Sequence, residues 1–312
     1  MSSYTISQSD ESGISVLDRA LSPTSDRHLL PTVRDLCPGY RIARWDSPAA
    51  LTADRRARLH ALLRGLAARA FGADHSAYWH ARVEGGFFDR VTALALVMDR
   101  TGVPVGWGGY HRLHLAGRPA LYLDATGVVP AHRRSGITSA LMTHFLTREI
   151  RTRPLRGMDV VMRTRHPAVY AGWLHNLGPQ RVFPNTRRPL PARVRRVAAD
   201  AADWLGDGPG LDPDTLVVRD AYRVFDGDVY GVRPRSGHSD IDDLFARTVG
   251  PKDALMVVAH MDAAALARCA LARAARSRVR RMPSLGGRPR RGGRAAAPVH
   301  PDTVGLLTAA RP

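Results

Sequence analysis

The chain has 312 residues, 44% of them hydrophobic, enough for one large domain or two small ones around a buried core. No apolar run approaches the roughly 20 residues of a membrane helix, and the opening MSSYTISQSDESG lacks the basic start and apolar stretch of a secretory signal, so the reading is of a cytoplasmic protein with no membrane partner. The formal charge of +18 is uneven: from Ala263 on there are eleven arginines against one acid, Asp302, and the two cysteines, Cys37 and Cys269, have the spacing of neither a disulfide framework nor a zinc site.

Residues 1–39 are rich in Ser, Asp and Pro without a sustained period and read as a flexible arm. The alternation at 40–44 predicts a first edge strand. Thr52 is placed to cap a helix running to about Phe71, with Leu59, Leu62, Leu63, Leu66 and Ala70 at helical spacing and Gly72 as its stop. Residues 73–89 form a loop or short helix carrying His75, Tyr78, Trp79, His80 and Glu84; they are either a substrate surface or a segment that tucks Trp79 and Phe87 onto the core. Strands follow at 91–99, at 103–115 with glycines at 106, 108 and 109, and at 120–129; the short turns between them predict an antiparallel meander. A helix over 137–151 and a strand over 158–163 complete a parallel βαβ unit. The fold class is therefore α/β (α+β): a mixed, mostly antiparallel sheet with helices on both faces. Residues 166–177 are helical and Gly178 ends them. The remainder up to 262 holds an insertion at about 185–250, with a helix at 192–205, a strand at 215–224 and an acidic helix near 240–246, before a last strand at 254–260. The domain thus spans 40–262, and 263–312 is a basic tail that begins as a helix and continues as a disordered Arg/Gly segment. Such tails are a cue for nucleic acid, but no aromatic residues interleave to stack on bases, so no nucleic-acid partner is assigned.

The stretch on which the rest is organised is LYLDATGVVPAHRRSGITSALMTHF, residues 121–145. A strand ends at Pro130, a short basic turn follows, and from Ile137 the apolar period becomes helical, with Ile137, Leu141 and Phe145 on one stripe. The first-turn N–H groups of a helix have no intrahelical partner and carry the positive end of its dipole. Gly136 leaves them uncovered, and Arg133 and Arg134 add charge, so the turn suits a phosphate or pyrophosphate.

This stretch resembles the coenzyme A motif of the GCN5-related N-acetyltransferase (GNAT) superfamily, Arg/Gln-x-x-Gly-x-Gly/Ala after a strand ending in Val-x-Pro. The matching residues are Val128-Val129-Pro130 and Arg133-Arg134-Ser135-Gly136-Ile137-Thr138, with Thr138 where the family has Gly or Ala. The segment RTRHPAVYAGWLHNLGPQRVFP resembles the next family motif: His166 stands in place of Asn, and Leu174 in place of the usual tyrosine acid, with Tyr170 one turn earlier. The resemblance covers about 40–183 and continues more loosely to 261.

It implies an N-acetyltransferase that moves an acetyl group directly from acetyl-CoA, as co-substrate and without a metal, to the amine of a small molecule; a homodimer is compatible with it. The alternative is a non-catalytic acyl-CoA-binding sensor or interaction module. N–H groups near Gly127 and Val128, on the strand ending at Val129, would hold the thioester carbonyl, and residues 133–138 the pyrophosphate. An alkylammonium with a pKa near 10 must lose a proton before it attacks. The candidate bases are Asp124, Glu84 and His111, with Asp124 first; a cap or a local pair with an arginine is an equal use for Asp124, and a structural role the commoner one for a histidine such as His111. Tyr170 is the candidate acid for the leaving thiolate.

Overall fold

The computed structural model describes residues 30–152, 157–225 and 229–271. The expected arm up to residue 29 and the tail from 272 lie outside the described residues. Two compact units divide the chain. The first takes the described residues up to Leu113, with Leu121–Leu141 and Tyr222–Val232; the second takes His114–Ala120, Met142–Ala221 and the described residues from Arg233 on. Among the described residues no helix is long and apolar enough to cross a membrane. The strands build a mixed, mostly antiparallel sheet with helices, as expected.

In the first unit, β1 (Thr32–Cys37) pairs antiparallel with β2 (Tyr40–Trp45), from Thr32 opposite Arg44 to Cys37 opposite Tyr40. β1 falls inside the segment read as an arm. It is an edge strand with Arg34, Asp35 and Val33 exposed, held by ladder bonds, so it shows no apolar alternation to read. α1 (Ala53–Phe71) buries Leu59, Leu63, Leu66, Ala67 and Ala70, one helical stripe, and Gly72 ends it at φ +70°. Thr52 occupies the N-cap position, but its side chain makes no capping bond. Residues 73–89 form two short helices, α2 (Ser76–Glu84) and α3 (Phe87–Arg90), joined at Gly85-Gly86. Trp79 and Phe87 are buried, which is the packing reading of that segment.

β3 (Ala93–Met98) is buried along its whole length and pairs with both β2 and β4 (Pro104–Leu115). The strand expected over 120–129 is broken: β5 (Arg118–Leu123) stops, 124–126 leave the sheet, and β6 (Gly127–Val128) pairs with β4. Glycines allow this approach. A Cβ on Gly106 would lie 2.8 Å from the Gly127 carbonyl, and one on Gly127 would run into the Trp107 ring. α4 (Ile137–Arg151) then begins beside the turn.

The second unit has β7 (Met158–Thr164), α5 (Pro167–Leu177), the short β8 (Val182–Phe183), α6 (Ala192–Leu205), the two-residue β9 (Val217–Val218), α7 (Ser239–Thr248) and β10 (Ala254–Met261). β10 is its hub, antiparallel to β7, β8 and β9. The chain is helical again over 263–271. The strand expected over 215–224 shrinks to β9, because Leu216 and Asp220 on either side take positive φ, +58° and +51°, and cannot continue an extended ladder. α6 lays Val197, Ala198, Ala201 and Ala202 inward and is tied to β7 by the Arg193–Asp159 ion pair. The expected insertion is thus shared: 222–232 belong to the first unit, α6 and α7 to the second.

Candidate active site

The basic turn is built from the strand upward. Val129 N donates to Val105 O at 2.9 Å, which makes Val128 and Gly106 a pair without ladder bonds between them, so the N–H of Val128 points away from β4. A short 3-10 turn, Pro130–His132, follows, and the His132 ring meets the Tyr40 hydroxyl at 3.1 Å. Arg133 then turns inward. Its Nε donates to Val128 O at 3.3 Å and its Nη2 to Ala70 O, near the carbonyl end of α1, where a cation offsets the helix dipole. Arg134 (φ +62°), Ser135 and Gly136 are exposed. Gly136 sits at φ +85°, and a Cβ there would have nothing within 4 Å. Thr138 is 5% exposed at the start of α4, so its hydroxyl is not on the open face.

The turn fits the phosphates of a coenzyme A molecule. Left-handed residues ahead of a helix turn backbone N–H groups outward, and the glycine keeps them uncovered. Of the two arginines read from the sequence, Arg134 has the outward position and Arg133 braces the turn.

Asp124, at the break between β5 and β6, is 3% exposed at its side chain. Its carboxylate accepts from Arg82 Nη2, from His111 Nε2 at 2.8 Å and from Ala125 N at 2.5 Å. His111 Nδ1 lies 2.9 Å from the Arg90 carbonyl. Both ring nitrogens therefore lie against oxygen atoms, which fixes the orientation of the ring. Burial pushes the Asp124 carboxyl up, but the Arg82 guanidinium and the His111 bond outweigh it and hold the group well below the usual carboxylate range. A carboxylate so committed is a poor acceptor for an amine proton. The structure pairs Asp124 with Arg82, 42 residues earlier, where the sequence led one to expect a cap or a local arginine, and places His111 in the same cluster.

Arg82 is the residue the sequence reading missed. Its Nη1 donates to the Tyr78 hydroxyl at 2.7 Å, and its guanidinium lies 4.7 Å from the centre of the Phe87 ring. The signal was present: Tyr78 and Arg82 are four apart, hence on one face of a helix, once 76–84 is read as helical. Tyr78 in turn stacks on Phe225 at 5.2 Å, and His75 Nε2 donates to Val229 O at 3.0 Å. Burial lowers the pKa of His75, partly opposed by that carbonyl. Phe225 and Val229 therefore cover α2 within the same unit, a contact also missed, because nothing local marks them as its partners. Glu84 is exposed at the C-terminal end of α2.

Tyr170 lies on α5 in the second unit, 1% exposed, with its hydroxyl donating to Pro184 O at 2.7 Å. Burial, with the charge of Asp240 behind it, pushes its pKa up to about 12. His166 caps α5, its Nδ1 accepting from Ala168 N at 3.3 Å. The structure thus gathers Asp124, Glu84, residues 127–129 and 133–137 into the first unit and leaves Tyr170 in the other.

A mixed, mostly antiparallel sheet thus delivers an open glycine turn to the start of a helix. Residues 60–167 match the family model of the Acetyltransferase (GNAT) family. The chain is similar to a GNAT family N-acetyltransferase from Escherichia coli solved with CoA (18% identity, 48% of this chain and 70% of that one covered, TM-score 0.29). It is also similar to the ribosomal-protein-S18-alanine N-acetyltransferase of Escherichia coli (13%, 72% and 94%, 0.36) and to an acetyltransferase from Corynebacterium glutamicum described as histone acetyltransferase HPA2 and related acetyltransferase (16%, 52% and 89%, 0.33). No curated protein matches it.

Proposed function

We propose that the chain is an acyl-CoA-dependent N-acetyltransferase acting on the amine of a small molecule. The observation that carries this reading is the open turn at Arg134–Gly136 ahead of α4, within the segment that matches the GNAT family model. When bound, acetyl-CoA supplies an activated acyl thioester. Arg134 and the first-turn N–H groups of α4 hold its phosphates. The N–H of Val128, turned away from β4, is aimed to donate to the acyl oxygen, and one such donor is worth about 3 kcal/mol to the reaction. Glu84 is the exposed carboxylate of the expected set and takes the amine proton directly or through water. Asp124 positions Arg82, and through it the Tyr78 hydroxyl, on the acceptor side. Tyr170 serves as the acid only by giving up its bond to the Pro184 carbonyl.

The second reading, an acyl-CoA-binding module without turnover, is favoured by the commitment of both Asp124 and Tyr170 to internal partners. Calorimetric titration with acetyl-CoA, then thiol release across a panel of amines, separates the two. The enzyme reading expects saturable binding that weakens roughly tenfold in Arg134→Ala, and turnover with at least one amine. Binding without turnover across the panel selects the module, and absence of binding overturns both.

A further inference from the structure

The second unit contains a pocket of about 170 Å³ remote in sequence from the glycine turn, formed where the end of β7 and the start of α5 meet α7 and the segment 233–235. Three arginines line it. Arg165 is 9% exposed, and its Nε donates to the Gly250 carbonyl at 3.2 Å, which fixes the plane of its guanidinium. Arg233 and Arg235 flank Pro234 in a run with neither helix nor strand. The proline ring keeps the preceding residue extended, so the two side chains stand on a stiff support. Neither arginine has a hydrogen-bond or ion-pair partner among the described residues.

The acids in the lining do not answer them. Asp242 is engaged in shaping the next turn: its carboxylate accepts from Ser236 N at 2.7 Å, Ser236 Oγ at 2.8 Å and Gly237 N at 3.3 Å. Asp243 is exposed on α7. The rest of the wall is apolar, with Phe245 and Val249 both buried.

We propose that this pocket is a second binding site, for a small phosphate monoester with an apolar body. Two guanidinium groups without partners match a group that carries a charge of about −1.5 to −2 at neutral pH, whereas a monocarboxylate matches only one of them. Planar bidentate donors favour a tetrahedral oxyanion with several acceptor oxygens. Phe245 and Val249 give the ligand body an apolar surface. The site is independent of acyl transfer, because none of its residues belongs to the turn at 133–138.

The test is titration of phenyl phosphate into the full chain, with benzoate as the carboxylate control. Wild type is expected to bind phenyl phosphate saturably and benzoate more weakly. The double variant Arg233→Ala/Arg235→Ala is expected to lose roughly tenfold or more in affinity, and Arg134→Ala none. Both arginines of the double variant are exposed, and an unchanged thermal melt shows that it is folded; the charge reversal Arg233→Glu gives the same loss by a second route. The proposal is overturned if the double variant binds like wild type, if the loss appears in Arg134→Ala instead, if benzoate binds as tightly as phenyl phosphate, or if no saturable binding occurs.

Discussion

Asp124 lies between Arg82 and His111, and its value to the protein is the charge it places there. Asp124→Asn leaves Arg82 in a buried site without its carboxylate, and breaking a buried pair in this way costs about 3–5 kcal/mol. Urea unfolding reads that loss. A double variant, Arg82→Met/Asp124→Asn, should recover part of it, because the uncompensated cation is gone. The same pair sets an acid limit. The folded pKa of Asp124 is depressed below the unfolded value of about 3.9, so its contribution is fully present above that pH and is lost as pH falls toward the folded value. Acid unfolding monitored by tryptophan fluorescence should therefore show a steeper decline below about pH 4 in wild type than in Asp124→Asn.

At the level of elements, the glycine turn and the broken strand make different demands on the same residue type. Gly136→Ala meets no neighbour, but a left-handed φ costs an L-residue about 1–2 kcal/mol, and a methyl group would stand at the mouth of α4. The expected result is a modest fall in melting temperature with a clear loss of acetyl-CoA affinity. Gly127→Ala drives a methyl group into the Trp107 ring, so its main effect should be a larger fall in melting temperature. Where a local pattern existed, the sequence was readable: the stripe of α1, the apolar run of β3, the turn at 133–138 and the last strand all appear where periodicity put them. Where the cause is a distant partner, it was not. β1 is held by backbone bonds to β2 and so has no side-chain signature. The break at 124–126 depends on a carboxylate finding Arg82, 42 residues earlier in the chain. The role of Phe225 depends on Tyr78, far away in sequence. The strand at 215–224 failed for the opposite reason, an apolar run whose flanking residues are left-handed.

For the whole molecule, the surplus of arginine makes anion capture sensitive to salt. Raising NaCl from about 50 to about 500 mM shortens the Debye length to a few ångströms and should weaken acetyl-CoA binding several-fold. Ten of the arginines lie beyond residue 271, outside the segment that matches the GNAT family model. Deleting residues 272–312 should leave acetyl-CoA affinity within about twofold while sharply reducing retention on a heparin column. Loss of acetyl-CoA affinity on that deletion would assign the tail a part in the site.

The route of the chain also limits how the protein can be dissected. It passes between the two units five times, and the 222–232 segment enters the first unit with the second on both sides of it. Neither unit is a continuous stretch, so no single cut releases one of them whole. A fragment ending at residue 167, where the family match ends, would discard Phe225 and the Val229 carbonyl and expose Tyr78 and His75 to water. Engineers who transplant α2 and α3 of this protein must carry that short passage along with the helices it covers.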